Sequence, residues 1–219
     1  MAKIIPVIHT INQDQVEYNV KLCRDNGIYD IFLIDHRITD ESLLKTEKYI
    51  RWIREFIQPA INIGVNYLQL DTIAAMKEAH RLGADYIWAD RSYIEHKTLP
   101  IAEEILFEHE YTQHNTKYFG CVAFKYQRPV KDLEWTCRTA CDYMDVITTS
   151  GDATGKPPSI DKIKSMRGFI GNKPMAIASG ITPENKSDYE NLVDYFLIAS
   201  SITDSSEMII ESRLKQLLK

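Results

Sequence analysis

The feature that most constrains the fold is a regular alternation between short apolar runs, rich in Val and Ile, and longer amphipathic stretches. Such alternation predicts βα units and a parallel sheet, because parallel strands need a crossover connection between them. We predict eight strands, at residues 4–9, 28–35, 60–66, 85–90, 117–126, 145–150, 173–179 and 194–200. Eight strands, each followed by a helix, predict a (β/α)₈ (TIM) barrel of α/β class that forms one domain over residues 1–219.

A doubly wound open sheet is the structural alternative, because it alternates in the same way. The chain has no G-x-G-x-x-G sequence after its first predicted strand, which favours the barrel. The clearest predicted helix covers 71–82: Asp71 is a suitable cap, Ile73, Met76 and Ala79 follow at helical spacing, and Gly83 ends it. Two further helices are predicted at 40–58 and 207–219.

The charge and hydropathy patterns exclude several classes of function. The net charge is −5, from 26 basic and 31 acidic residues, and no basic stripe is present, which argues against nucleic acid as a partner. No apolar run approaches the roughly 20 residues that a membrane helix needs, so we expect no membrane insertion. Residues 1–6 lack the apolar run of a signal peptide, so we expect a cytoplasmic protein. A homo-oligomer remains an open alternative.

The four cysteines show no metal-site or redox spacing. None forms a C-x-x-C pair, and Cys137 and Cys141 are four apart in a predicted helix. We therefore predict both to be small buried apolar residues, and we expect no metal and no cofactor.

Side-chain alternation assigns the faces of three strands. In the third, Ile63 and Val65 should face the helices, and Asn66 should face the barrel interior. In the fourth, Ile87 should face outward, and Asp90 should face inward. In the fifth strand, the predicted outward residues are Val122, Phe124 and Tyr126, and the predicted inward residues are Cys121, Ala123 and Lys125.

Polar residues consequently gather at the carboxyl ends of the strands, where the active sites of such barrels lie. We predict catalytic roles for Asp90, Lys125 and His9 in acid–base and electrostatic steps. The predicted substrate-binding residues are Asp35, Asn66 and Ser150. The structural alternatives are an ion pair between Asp90 and Lys125, a loop-capping role for Asp35, and a His9 that is satisfied by internal partners and is not a base.

Three loops with glycine or serine follow the last three predicted strands and suggest a phosphate site. Phosphate in these barrels is held by backbone N–H groups after strands seven and eight. The predicted phosphate-binding residues are Gly151, Gly155, Ser179, Gly180, Ser200 and Ser201. The run from Thr182 to Glu184 is typical of a helix start, with a capping threonine, a proline and an acidic residue. The alternative is that Gly180 only forms a tight turn and the serines only cap.

The ordered series of these segments resembles the BtpA/SgcQ family of barrels over roughly residues 60–200. The resemblance is carried by residues 64–68, 83–87, 122–125, 150–155 and 179–185. The chain is shorter than typical members, and Leu70, Trp88, Asp90 and Tyr126 depart from the family's usual residues. The loops after strands seven and eight also resemble those of phosphoribosylanthranilate isomerase, which implies a phosphorylated, sugar-like ligand.

The sequence therefore leads to an enzyme that acts on a small phosphorylated metabolite by acid–base chemistry of isomerase or lyase type. The main alternative is a barrel that binds a metabolite, or assists assembly of a complex, without chemistry. A third hypothesis is a divalent-metal site at Asp35 and Asp90, which no recognisable ligand spacing supports.

Overall fold

A computed structural model of the chain describes residues 2–37, 39–95, 100–111 and 115–219. Eight parallel strands pair in sequence order, and β1 pairs with β8 to close the barrel. The strands are β1 (Lys3–His9), β2 (Asp30–Ile34), β3 (Asn62–Asn66), β4 (Tyr86–Ala89), β5 (Lys117–Cys121), β6 (Val146–Thr149), β7 (Met175–Ala178) and β8 (Tyr195–Ile198). The predicted (β/α)₈ barrel is confirmed.

Helices surround the strands and pack on them through their apolar faces. They are α1 (Gln13–Asp25), α2 (Asp40–Phe56), α3 (Thr72–Arg81), α4 (Pro100–Tyr111), α5 (Leu133–Ala140), α6 (Ile160–Ile170) and α7 (Glu211–Leu217). Asp71 caps α3 as predicted, because its carboxylate accepts the N–H of Ala74 at 2.8 Å. In the described ranges, no helix combines the length and the apolar character needed to cross a membrane.

Two apolar layers hold the fold together. The outer layer lies between strands and helices and includes Ile63, Val65 and Ile87, as the alternation predicts. The inner layer fills the barrel with Phe32, Trp88, Phe119 and other side chains. Gly64 has to lack a side chain here, because a Cβ atom on it would lie 2.4 Å from the Phe32 ring. The barrel interior is therefore filled by side chains.

The prediction for strand five is wrong beyond Cys121, where β5 ends. Ala123 and Tyr126 adopt positive φ angles of 47° and 64°, so the chain turns and side-chain alternation stops. Phe124, predicted to face outward, packs inside the barrel against Trp88, with ring centroids 6.2 Å apart. Ala123, predicted to face inward, packs on the outer layer.

The prediction of a helix after every strand is also wrong at one place in the described chain. Between β7 and β8 the chain forms turns and a short 3₁₀ segment, Lys186–Asp188, in place of an α-helix. The Thr182 hydroxyl accepts the N–H of Glu184 at 3.2 Å, so the predicted cap forms, but only a turn follows it. The four cysteines are free; Cys137 is buried as predicted, and Cys141 is half-buried.

Candidate functional site

A cavity of about 250 Å³ opens at the carboxyl ends of the strands. Its floor is apolar and includes Val7, Ile34, Trp88 and Leu197 from the inner layer. Its rim is formed by His9, His36, Lys125, Thr154, Gly155, Ser179, Gly180, Thr182, Ser200 and Ser201. We call this space the mouth cavity. An apolar floor under a few polar groups is the usual composition of a small-molecule site.

His9 lies at the end of β1 and is held on both sides. Its Nδ1 atom lies 3.0 Å from Oε2 of Glu207, and its Nε2 atom lies 3.3 Å from Nε2 of His36. The two imidazole rings meet edge to face, with centroids 4.6 Å apart. Burial, followed by the neighbouring His9, lowers the pKa of His36, so its neutral form is favoured.

The segment after β8 brings Glu207 to His9. Glu207 has a φ angle of 59°, which is uncommon for a residue other than glycine. Its carbonyl oxygen accepts hydrogen bonds at 2.8 Å from the side chains of Gln15 and Asn19 on α1. These two bonds hold the backbone in this conformation and thus fix the position of the Glu207 carboxylate.

Lys125 lies in the turn after β5 and supplies a cation to the mouth cavity. Its ammonium group lies 5.5 Å from the centre of the Phe124 ring. Among the described residues, no carboxylate oxygen lies within salt-bridge distance of Lys125, so the alternative of an Asp90–Lys125 ion pair is not found. An amine without a carboxylate partner is available to an anionic ligand.

Backbone N–H groups of the loops after β7 and β8 line the same cavity. Over the described residues, the N–H groups of Gly180, Ser200 and Ser201 donate to no protein acceptor. The buried hydroxyl of Ser201 also has no partner. Ser179 has a different role: its hydroxyl accepts the N–H of Gly155 at 2.8 Å and ties the β6 loop to the β7 loop.

Gly151 and Gly180 enclose the backbone of residues 156–157 between them. A Cβ atom on Gly180 would lie 2.1 Å from the nitrogen of Pro157, and one on Gly151 would lie 2.3 Å from the carbonyl oxygen of Lys156. Gly180 also has a φ angle of 79°. These glycines are therefore needed for close packing between two loops, a requirement separate from the approach of a ligand.

Asp90 and Asn66 lie in a neighbouring cavity of about 450 Å³, between the loops after β3 and β4. Trp88 lines both cavities. The Asn66 side chain donates to Oδ1 of Asp90 at 3.2 Å. Burial raises the pKa of Asp90, and neither this hydrogen bond nor the charge of Lys125 fully offsets it. Asp90 consequently lies outside the mouth cavity, which contains the other two predicted catalytic residues, His9 and Lys125.

Asp35 and Ser150 have internal partners. Asp35 accepts three hydrogen bonds from Arg37, through its backbone N–H at 2.9 Å and its guanidinium at 2.9 and 2.6 Å, so the loop-capping alternative is found. Ser150 is buried, and its hydroxyl accepts the N–H of Lys125 at 2.9 Å. Lys162 donates to the carbonyl oxygens of Ala123 and Ser150, which braces the turn that carries Lys125.

Sequence reasoning missed His36, Glu207 and Lys162. His36 is the second residue after β2 and directly follows the strand predicted at 28–35, so extending the predicted rim by one residue beyond Asp35 would have included it. Glu207 lies in an irregular segment whose sequence gives no indication that it returns to β1. Lys162 was missed because one lysine on an amphipathic helix normally extends into solvent.

A model of the BtpA family matches residues 48–219. An uncharacterised protein of Thermococcus kodakarensis is 26% identical over 171 residues, which cover 73% of this chain and 64% of that protein. The chain thus spans less than two thirds of that relative's length.

Solved structures with the same fold include two phosphoribosyl anthranilate isomerases. That of Thermus thermophilus has a TM-score of 0.66 at 12% identity and covers 98% of this chain and 96% of its own. That of Thermococcus kodakaraensis has a TM-score of 0.64 at 13% identity, with 100% and 97% covered. A structure described as native KDPGal has a TM-score of 0.67 at 12% identity, with 98% and 90% covered. At these identities the likeness shows a shared fold.

Proposed function

This chain belongs to the BtpA family, and from that premise we propose that it is an enzyme acting on a small phosphorylated metabolite. The reaction we propose is an acid–base isomerisation or lyase step in the mouth cavity. The observation that carries the proposal is the convergence there of N–H groups and an ammonium group that have no acceptor or carboxylate partner among the described residues, together with a pair of imidazoles.

The phosphate is proposed to bind at the loops after β7 and β8. Backbone N–H groups of Gly180, Ser200 and Ser201 supply donors that have no protein acceptor among the described residues. The names of two fold neighbours, phosphoribosyl anthranilate isomerases, agree with a phosphoribosyl-like compound as the ligand. A cavity of about 250 Å³ suits a ligand of that small size.

Proton transfer is assigned to the imidazoles of His9 and His36, because the ordinary histidine pKa lies near neutral pH. Lys125 stabilises negative charge that develops on a substrate oxygen. Asp90 is the proposed second acid–base group, since its pKa is raised by burial and Trp88 borders both its cavity and the mouth cavity.

The anion site is tested with inorganic phosphate as the probe. We expect Ser200→Asp to weaken phosphate binding, measured by titration calorimetry, at least about tenfold, because it places a like charge beside the anion. Ser205→Asp is the matched control, since Ser205 is exposed on the same segment and does not line the cavity. Equal binding by both variants would contradict a phosphate site at these loops.

The chemistry is tested by incubating the protein with phosphorylated aldoses and ketoses in D₂O. We expect deuterium to enter the substrate at the carbon beside the carbonyl group, detected by NMR, because an active-site base removes that proton. Binding of such a compound without exchange or turnover would favour the alternative, a barrel that binds a metabolite without chemistry.

A further inference from the structure

We propose that Glu207, His9 and His36 form a hydrogen-bonded chain in which His36 is the catalytic residue that exchanges a proton with the substrate, and Glu207 and His9 are positioning residues. The inference deepens the proposed function and rests on it. It assigns the proton transfer to an imidazole that the sequence does not single out, and it gives His9 an internal role.

The hydrogen-bonding capacity of His9 is used up. Its Nδ1 faces the Glu207 carboxylate at 3.0 Å, and its Nε2 faces His36 at 3.3 Å. An imidazole has only these two nitrogens, so neither is left to meet a substrate. His36 uses Nε2 for His9, and its Nδ1 has no partner among the described residues. His36 is also exposed at the rim of the mouth cavity.

The partners determine where the protons lie. An ionised carboxylate only accepts hydrogen bonds, so His9 carries its proton on Nδ1. Its Nε2 is then an acceptor, and Nε2 of His36 has to donate. In the neutral pair, the nitrogen without a proton or a partner is therefore Nδ1 of His36, which is the atom that a general base needs.

The proton balance of the step follows from this arrangement. Nδ1 of His36 takes a proton from substrate carbon or oxygen, the bond to that proton breaks, and its electron pair stays on the substrate. The Nε2 proton of His36 then moves to Nε2 of His9, which becomes an imidazolium paired with Glu207. The reverse transfer returns one proton to a different substrate atom, so an isomerisation needs no further reagent.

Four charged or titratable groups act on His36. Glu207 from the segment after β8 and Asp35 at the end of β2 favour its protonated form, whereas His9 on β1 and Lys125 after β5 disfavour it. Partial burial of the ring has the largest effect and lowers the pKa, so the neutral form of His36, which can accept a proton, is favoured.

The chain of hydrogen bonds is tested in the wild-type protein by ¹⁵N NMR of the histidine rings, which needs no substrate. We expect the Nδ1–H form for His9 and the Nε2–H form for His36 at neutral pH. Glu207→Gln should lower the pKa of His36 because it removes a negative charge, whereas Glu211→Gln, exposed and paired with Lys215, should leave it unchanged. An Nε2–H form for His9, or stoichiometric zinc bound by the two Nε2 atoms, would overturn the proposal.

The catalytic role is tested by deuterium exchange into the phosphorylated substrate. We expect His36→Asn to lower the exchange rate at least about 100-fold, the usual contribution of a positioned base, with phosphate affinity unchanged. If His36→Asn retains the exchange, this inference fails and the proposed function stands. If no phosphorylated compound undergoes exchange with the wild type, the proposed function and the catalytic role of His36 both fail, whatever the NMR shows.

Discussion

The two ends of the barrel each hold an aspartate, buried at the N-terminal end and half-buried at the C-terminal end, and the two residues have opposite environments. At the N-terminal end, Asp30 lies 2.5 Å from the Lys3 ammonium, accepts from Asn62 at 3.0 Å and accepts from the Tyr86 hydroxyl. Burial alone would raise the pKa of Asp30, but these bonds outweigh it and hold the pKa below its usual value. Asp30 therefore stays ionised and fully partnered.

Asp90, near the C-terminal end, has far fewer partners. Its side chain accepts one hydrogen bond, from Asn66 at 3.2 Å, and burial raises its pKa. The mouth cavity beside it also contains a lysine without a carboxylate partner and N–H groups without protein acceptors within the described chain. The polar groups around Asp30 thus bond to one another, whereas those at the C-terminal end are available to a ligand. Ligands bind at this end in barrels of this fold.

The largest effect is expected from a substitution that removes Asp30 from its hydrogen-bonded network at the N-terminal end. We expect Asp30→Ala to lower the free energy of unfolding by about 3 kcal/mol, because it leaves Lys3, Asn62 and Tyr86 without their common acceptor. Turnover per folded molecule should not change, since this end is remote from the mouth cavity. Urea unfolding measures the loss, and Asp142→Ala, at an exposed site, is the control, expected within about 0.5 kcal/mol. A loss no larger than that of the control would show that the network does not stabilise the fold.

A substitution of Asp90 at the C-terminal end should have the opposite effect, with stability kept and turnover lost. We expect Asp90→Asn to leave the free energy of unfolding unchanged within about 0.5 kcal/mol or to raise it, because an amide fits the site and avoids desolvation of a charge. Turnover of a phosphorylated substrate should fall at least about 100-fold, since an amide cannot exchange a proton with the substrate as a carboxyl group can. Unchanged kcat in the folded variant would remove Asp90 from the catalytic residues.

The fold could be predicted from the sequence because hydrophobic alternation is local and repeated. Each strand with its helix carries the same signal, so small errors at the ends of elements did not change the number of strands or their order. The prediction was wrong after Cys121, where apolar alternation continues through Phe124 although the backbone turns at Ala123. Periodicity reports which residues are apolar, and it does not report a positive φ angle.

The candidate site could be predicted only in part, because it depends on contacts between distant segments. The positions of His9, Lys125, Ser200 and Ser201 at strand ends followed from the barrel itself. The contact between His9 and Glu207 joins residues almost 200 positions apart and depends on a strained backbone held by α1. No local pattern encodes such a contact. The contact of Asp35 with Arg37 is local, and loop capping was one of the two roles that the sequence allowed for Asp35.

The smallest expected effect is a difference in how the two aspartates respond to acid. The pKa of Asp30 is lowered by folding, so its stabilising contribution is complete above about pH 4, the ordinary range of an unfolded aspartate, and is lost as the pH falls through its lower folded value. The pKa of Asp90 is raised by folding, so its ionised form destabilises the protein at neutral pH. That cost disappears as the pH falls from the raised value towards about 4. Urea unfolding between pH 7 and pH 3 should therefore show the wild type losing its advantage over Asp30→Ala and gaining stability relative to Asp90→Asn. Curves for the two variants that stay parallel to the wild type across this range would mean that the two ends do not differ in the way the structure indicates.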